Sequence, residues 1–351
     1  TTMTYDPVGN ITQIRDDAIP TIWYDQTEIN ALSLYTYDPL YRLILATGRE
    51  HQAIGFKHSR EVTAFKQSHY IPLPPPTTDA HALQMYMEAY QYDRGGNLEK
   101  MSHYRGVVTD SAMLVGAPAL WIRNQFFESV GSAPKSNRIT FSRPSSSLPL
   151  PTSVPDFEHD RNGNLLKIDG TLHHLKWDFK DQLVEAELNA AGNKAYYQYD
   201  AAGRRIRKFI VKNGVTEEYI YLGGCEIYRK SNNSGTPRER HTLHVMDDNK
   251  RIALVETENP DPLHETPRFR YQLGNHLGSA VLEVDGTSDA NTISYEEYYP
   301  YGETSFIAGK DQQEVSTKRY RYSGKERDDE TGLYYYGARY YAPWLGRWMS
   351  A

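Results

Sequence analysis

The stretch Tyr199-Asp200-Ala201-Ala202-Gly203-Arg204, followed by Arg205–Lys212, Asn213-Gly214 and Val215–Leu222, decides the fold. An aromatic residue leads into Asp, whose side chain can bond the backbone two residues on. The Gly three places later supplies the positive φ of a bulged hairpin. Asn213-Gly214 is a strong short-range hairpin signal, so the stretch reads as strand, turn, strand, turn, strand. Both faces of Val215–Leu222 carry polar as well as apolar groups.

The same corner recurs along the chain. Tyr5-Asp6-Pro7-Val8-Gly9-Asn10-Ile11 and Tyr92-Asp93-Arg94-Gly95-Gly96-Asn97-Leu98 repeat it closely, and His159-Asp160-Arg161-Asn162-Gly163-Asn164-Leu165 replaces only the aromatic. Tyr37-Asp38-Pro39-Leu40-Tyr41-Arg42-Leu43 and Trp177-Asp178-Phe179-Lys180-Asp181-Gln182-Leu183 lose the Gly, while Tyr271-Gln272-Leu273-Gly274-Asn275-His276-Leu277 is a worn copy. The Asp positions advance by 32, 55, 67, 18 and 22 residues. Such uneven steps argue against a propeller of equal blades and for a long sheet whose connections tolerate insertions. One continuous, largely antiparallel sheet is expected, with Gly96, Gly163 and Gly203 at positive φ.

Composition agrees. Of 351 residues, 28 are Tyr, against 10 Phe and 5 Trp, which favours strands with one apolar and one wet contact. The predicted class is all-β with few or no helices. Lys and Arg number 39 against 45 Asp and Glu, a net charge of −6, so no general phosphate-binding surface is expected and nucleic acid is not an expected partner. No run approaches the roughly 18 apolar residues of a spanning helix, and the single Cys225 excludes an internal disulfide framework. The opening Thr-Thr-Met-Thr-Tyr-Asp carries no secretion signal, and the chain reads as a cut-out of something longer. Pro- and Ser-rich surface insertions are expected around 72–151. Ala80 to Gln91 alternates as a strand, and Ala119 to Val130 is the best helix candidate, behind Pro118.

Common catalytic motifs are absent: there is no Gly-x-Ser-x-Gly elbow, Walker loop or Gly-x-Gly-x-x-Gly. His173-His174 and His241-x-x-His244 lack a Cys or carboxylate at a recognised spacing and read as strand-surface residues rather than metal ligands. Asp16-Asp17, Asp247-Asp248 and Asp328-Asp329-Glu330 read as solvated turn charges, since the EF-hand spacing is missing. No metal or cofactor is expected.

The densest segment is the C-terminal tract Arg319-Tyr320-Arg321-Tyr322-Ser323-Gly324-Lys325-Glu326-Arg327, continuing through Leu333-Tyr334-Tyr335-Tyr336-Gly337-Ala338-Arg339-Tyr340-Tyr341 to Gly346-Arg347-Trp348-Met349-Ser350. With Tyr298-Tyr299-Pro300-Tyr301-Gly302-Glu303 and Leu273-Gly274-Asn275-His276-Leu277-Gly278-Ser279 it resembles the Rhs-associated core that closes Rhs/YD-repeat proteins. The Tyr5 and Tyr37 copies, with Ala46-Thr47-Gly48-Arg49-Glu50, look like the C component of Tc insecticidal toxin complexes. The resemblance places a YD-repeat region at 1–268 and the core region at 269–351.

What the resemblance implies is a strip of β-sheet wound into a hollow shell. That shell is secreted, meets a partner half-shell (the B component), and encloses a cleaved C-terminal toxin cargo. It also implies a self-cleaving aspartyl protease built on an Arg, matched by Arg339, and two later aspartates, the first in an Asp-Pro after Gly-Arg-Trp-x-Ser-x. The sequence stops at Ala351 just before that position, so a catalytically incomplete, non-enzymatic chain is expected. Arg339 otherwise reads as a structural cation stacked on Tyr340 or Tyr336. Two further functional readings stand beside the shell: a carbohydrate-binding or adhesive module on the same scaffold, and an active autoprotease.

Overall fold

The computed structural model describes residues 1–52, 82–106, 119–130, 133–143, 155–168, 174–189, 191–231, 237–248, 250–259, 267–309 and 312–350. They form two compact units, neither a single run of sequence. The first gathers the described residues of 1–156 with Glu297–Ile307, and the second gathers those of 157–296 and 308–350.

In the first unit eight strands hydrogen-bond antiparallel in chain order: Thr2–Tyr5, Ile11–Arg15, Leu32–Tyr37, Leu43–His51, Leu83–Tyr92, Leu98–Arg105, Trp121–Val130 and Ala133–Arg143. Ile22–Tyr24 and Thr27–Ile29 pair as a separate hairpin. Register sorts the side chains. Ala46 lies opposite Glu88, and Glu88 opposite His103, so these share a face with Tyr90, Met101 and Trp121. Ala46, Tyr90, Leu98, Met101 and Trp121 form a buried cluster on which Tyr301 packs. Burial of a large apolar side chain such as Leu98 or Met101 contributes about 1.5–3 kcal/mol.

In the second unit Phe157–His159 pairs with Leu165–Ile168, and a longer sheet runs in chain order from His174–Trp177 to Thr292–Tyr298. The hairpin read around Asn213-Gly214 is present: Arg205–Lys212 pairs with Val215–Leu222, with Asn213 at φ 53 and Gly214 at φ 76. A small four-stranded sheet, Glu326–Arg327, Tyr334–Tyr335, Tyr340–Ala342 and Arg347–Trp348, carries the Tyr-rich tract. The described α-helix is the short Gln312–Thr317.

The all-β expectation holds, but two others need correcting. Among the described residues the pairing is not one continuous sheet; it is divided among separate sheets, in keeping with the tendency of very wide sheets to split. Ala119–Val130 is not helical: Trp121–Val130 is a strand held between two neighbours. Ile122, Phe126 and Phe127 suit a pleated surface, and pairing on both edges overrides a weak local helix preference. Leu83–Tyr92 is the strand that its alternation predicts. The Pro-rich 72–76 and Ser/Pro-rich 145–151 segments lie outside the described residues.

Candidate functional site

Every full Tyr-Asp corner closes by one scheme. The Asp N–H donates to the carbonyl four residues on: Asp6 to Asn10, Asp38 to Arg42, Asp93 to Asn97, Asp160 to Asn164, Asp178 to Gln182 and Asp200 to Arg204, each at 2.9 Å. The N–H three residues on returns to the Asp carbonyl, as Gly9 does to Asp6 at 3.1 Å and Gly203 to Asp200 at 3.0 Å. The Asp carboxylate accepts the fifth residue's N–H through Oδ1, at 2.7 Å from Asn97 and 2.8 Å from Asn164. Where that residue is Asn or Arg, Oδ2 takes its side chain, Asn10 at 2.8 Å, Arg42 at 2.6 Å or Arg204 at 2.9 Å, whereas the Gln182 side chain reaches Gly203 O at 3.3 Å instead. Asn or Arg after the turn is therefore the carboxylate's second partner.

Gly9, Gly96, Gly163 and Gly203 stand at φ 96, 86, 99 and 80, as the turn requires. The two copies without Gly keep the geometry by placing Tyr41 at φ 62 and Asp181 at φ 57, a strain of about 1–2 kcal/mol each. The Asn10 side chain holds the Asp6 carboxyl below its ordinary range, and the Arg204 backbone N–H does the same for Asp200.

The aromatic of each corner ties it to the preceding one. Tyr37 Oη donates to Ile11 O at 2.9 Å, Tyr92 to Leu43 O at 2.6 Å, Trp177 Nε1 to Leu165 O at 2.6 Å and Tyr199 to Leu183 O at 2.7 Å. In every case the acceptor is the residue five places after the preceding copy's Asp. These bonds are rungs joining consecutive hairpins, and Arg42 reinforces one by lying 4.9 Å over the Tyr92 ring and donating to Asp93 O at 3.0 Å. Tyr5, the first copy, is 58% exposed and its hydroxyl meets only the Met3 sulfur at 3.5 Å. The corners follow from the sequence pattern alone; the rungs do not, although the offset from Asp to acceptor is constant.

The worn copy is shifted by three residues. Asn275, not Tyr271 or Gln272, takes the Asp place: its N–H donates to Ser279 O at 3.0 Å, Gly278 N–H returns to it at 2.9 Å, and Gly278 has φ 75. Tyr299 with Gly302, and Arg321 with Gly324, close two more corners by the same bonds without an Asp.

Beneath the C-terminal tract the second unit buries a network of charge. Arg205 grips Asp328 with both terminal nitrogens, at 2.6 and 3.0 Å, and reaches Glu326 at 2.7 Å. Lys208 Nζ lies 2.7 Å from Asp328 and 3.2 Å from Glu326, while Arg319 joins Glu326 to Glu226. Tyr221 donates to Glu326 and Tyr197 to Glu330, both at 2.9 Å. The reading of Asp328-Asp329-Glu330 as solvated is overturned: the Asp328 side chain is 0% exposed and that of Glu330 4%. Acidic residues next to a turn resemble surface charge in sequence, and only the strand pairing brings Arg205 and Lys208 to them. Asp247 and Asp248 are exposed as expected.

A second network, missed entirely, lies in the first unit. His103, fully buried, sits 3.1 Å from Glu50 and 3.2 Å from Glu88, which in turn accept from Tyr299 and Tyr90. Burial alone would lower the imidazole's pKa, but Glu50 and Glu88 together push it up to about 10. His241 is exposed and His244 Nδ1 accepts from Arg251 Nε at 3.0 Å; His173 lies outside the described residues. Among the described residues no cluster of three His, Cys, Asp or Glu is arranged to hold a metal.

Arg339 is exposed and stacks 4.2 Å over Trp348, rather than over Tyr340 or Tyr336. Trp348 meets Tyr336 and Tyr341 at 5.0 and 5.2 Å. Asp328 is engaged by two cations, and Asp329 is a separate carboxyl whose pKa burial raises.

No family model matches the chain. Toxin subunit YenC1 of Yersinia entomophaga is 33% identical over 99% of this chain and 33% of its own length. The chain is homologous to the YenC toxin subunits. It spans about a third of their length. A crystal structure of TcdB2–TccC3 superposes at a TM-score of 0.79 with 32% identity, covering 99% of this chain and 16% of that one, and so supports the Rhs-like C-component resemblance. The tRNA nuclease WapA of Bacillus subtilis is 30% identical over 57% of this chain but only 8% of its own length.

Proposed function

We propose that this chain is a section of the β-sheet wall of a secreted toxin's C component, and that the wall encloses and helps deliver a cytotoxic C-terminal segment of the same polypeptide. The carrying observation is the match over 99% of the chain, at a TM-score of 0.79, to structures in which TccC3 is joined to TcdB2. The rungs support the reading. A wall wet on both sides lacks one dry core and must hold its strands by edge pairing and by side chains that bridge consecutive hairpins. The partner is then a B-type half-shell. Arg339 is the residue we assign to self-cleavage of the parent polypeptide, acting with carboxylates that the chain's buried acids do not supply.

The test is protection. The parent polypeptide is assembled with a B component and treated with protease, and its C-terminal segment is followed by mass. Survival of that segment in the assembly, with rapid digestion once the wall is opened by denaturant, is expected. Equal digestion in both states would overturn the proposal.

A further inference from the structure

We propose that Glu330 is a proton-operated latch that seats the C-terminal strip Glu326–Tyr335 on strands Lys194–Tyr199 and Arg205–Lys212, closed when its carboxyl is protonated and loosened when it ionises. Direct ion pairs connect four carboxylates, Glu226, Glu326, Asp328 and Glu330, to three cations, Arg205, Lys208 and Arg319. His244 lies 3.8 Å from Glu226 but accepts Arg251 Nε–H at Nδ1, which makes it the neutral tautomer with its N–H on Nε2. Arg251 acts on Glu226 and Glu326 without a direct ion pair, so the directly paired set is one cation short.

Geometry identifies which carboxylate goes short. Asp328 holds both terminal nitrogens of Arg205 and the near side of Lys208, and Glu326 touches all three cations. Among the three cations Glu330 meets Lys208 alone, at 3.6 Å, the longest contact of the set; it accepts besides from the Tyr197 hydroxyl at 2.9 Å and from its own backbone N–H. An uncompensated buried charge is costly, and a proton on the least-compensated carboxyl removes it. The groups facing Glu330 are Lys208 and Arg205 from one strand, Tyr197 from the next, and Asp328 from its own strip. Burial, with the Asp328 charge adding to it, raises the Glu330 carboxyl to about 7 against the pull of Lys208 and Arg205.

The sign follows. A carboxyl whose folded value is raised stabilises the seated strip fully below its free value of 4.5, and that contribution is lost as pH rises through about 7. Between pH 6 and pH 8 the opening constant of the strip should rise about tenfold.

Amide hydrogen exchange on the full chain, corrected for the intrinsic pH dependence, reads that constant in peptides spanning residues 326–335. The expected result is a tenfold increase in wild type and a flat response in Glu330→Gln, which mimics the neutral acid. Equal opening at both pH values in wild type, or an undiminished rise in Glu330→Gln, would overturn the latch. Should Glu330→Gln fail to fold, infrared difference spectra of Asp329→Asn, which removes the neighbouring buried carboxyl, decide: a buried protonated carboxyl lost between pH 6 and pH 8 supports the proposal, and no such band refutes it.

Discussion

The rungs make a quantitative demand on Tyr92. Tyr92→Phe keeps the ring and its contact with Arg42 but deletes the hydroxyl that donates to Leu43 O at 2.6 Å and meets Tyr301 Oη at 2.6 Å. A hydrogen bond of this kind has a net worth of about 1 kcal/mol, and a half-buried carbonyl left without its donor adds to that, so a loss of about 1–2 kcal/mol is expected. Tyr37→Phe removes a single bond to Ile11 O and should cost about 1 kcal/mol. The losses sum to about 2–3 kcal/mol, a large fraction of a typical stability, and because Tyr37 lies opposite Leu43 in register the double variant also measures the coupling between the two rungs. Tyr5→Phe is the matched control, since its hydroxyl is exposed and meets only sulfur. Urea unfolding followed by intrinsic fluorescence gives the midpoints at constant slope. If Tyr92→Phe costs no more than Tyr5→Phe, the rungs carry no load and the reasoning fails.

Further outcomes follow from other sites. Gly203→Val should destabilise by about 1 kcal/mol or more in thermal melts, because φ 80 disfavours a side chain and the new Cβ would stand 2.9 Å from Gln182 Nε2; Gly96→Val meets no neighbour within 4 Å and should cost less. His103, held up at about 10, stabilises the first unit fully below its free value of 6.5 and loses that contribution as pH rises to about 10, of order 5 kcal/mol in all. Chemical denaturation of wild type against His103→Gln between pH 6 and pH 10 should show the alkaline decline in the former alone. Asp328→Asn strips Arg205 and Lys208 of one of the two anions they share, Glu326 being the other, and should cost about 3–5 kcal/mol, read as a lowered urea midpoint.

The corners were legible because their chemistry is local. Asp at one place, Gly three later and Asn or Arg after it satisfy one another within five residues, and no distant contact is needed. The rungs were half legible: the aromatic was noticed, but its acceptor is a backbone carbonyl with no residue signature beyond its offset. The charge networks were not legible. Glu50, Glu88, His103 and Tyr299 come from four separate segments, and only strand register stacks three of them on one face, beneath a fourth that returns some 200 residues later. The strand at Trp121–Val130 was misread for the same reason, since what fixes it is the pair of edges beside it.

Glu297–Ile307 completes the first unit, with Tyr299 reaching Glu50 and Tyr301 meeting Tyr92. The ribosome finishes the rest of that unit roughly 150 residues before it makes this insert. At about 5–20 residues per second the nascent first unit waits about 8–30 s with its Glu50–His103–Glu88 face uncovered. Through that interval a buried ion cluster is still an open, hydrated one, and the unit is exposed to wrong pairings. A pause in translation between residues 156 and 307 would lengthen the exposure, so synonymous codon choice in that interval should change the yield of folded protein without changing a single side chain.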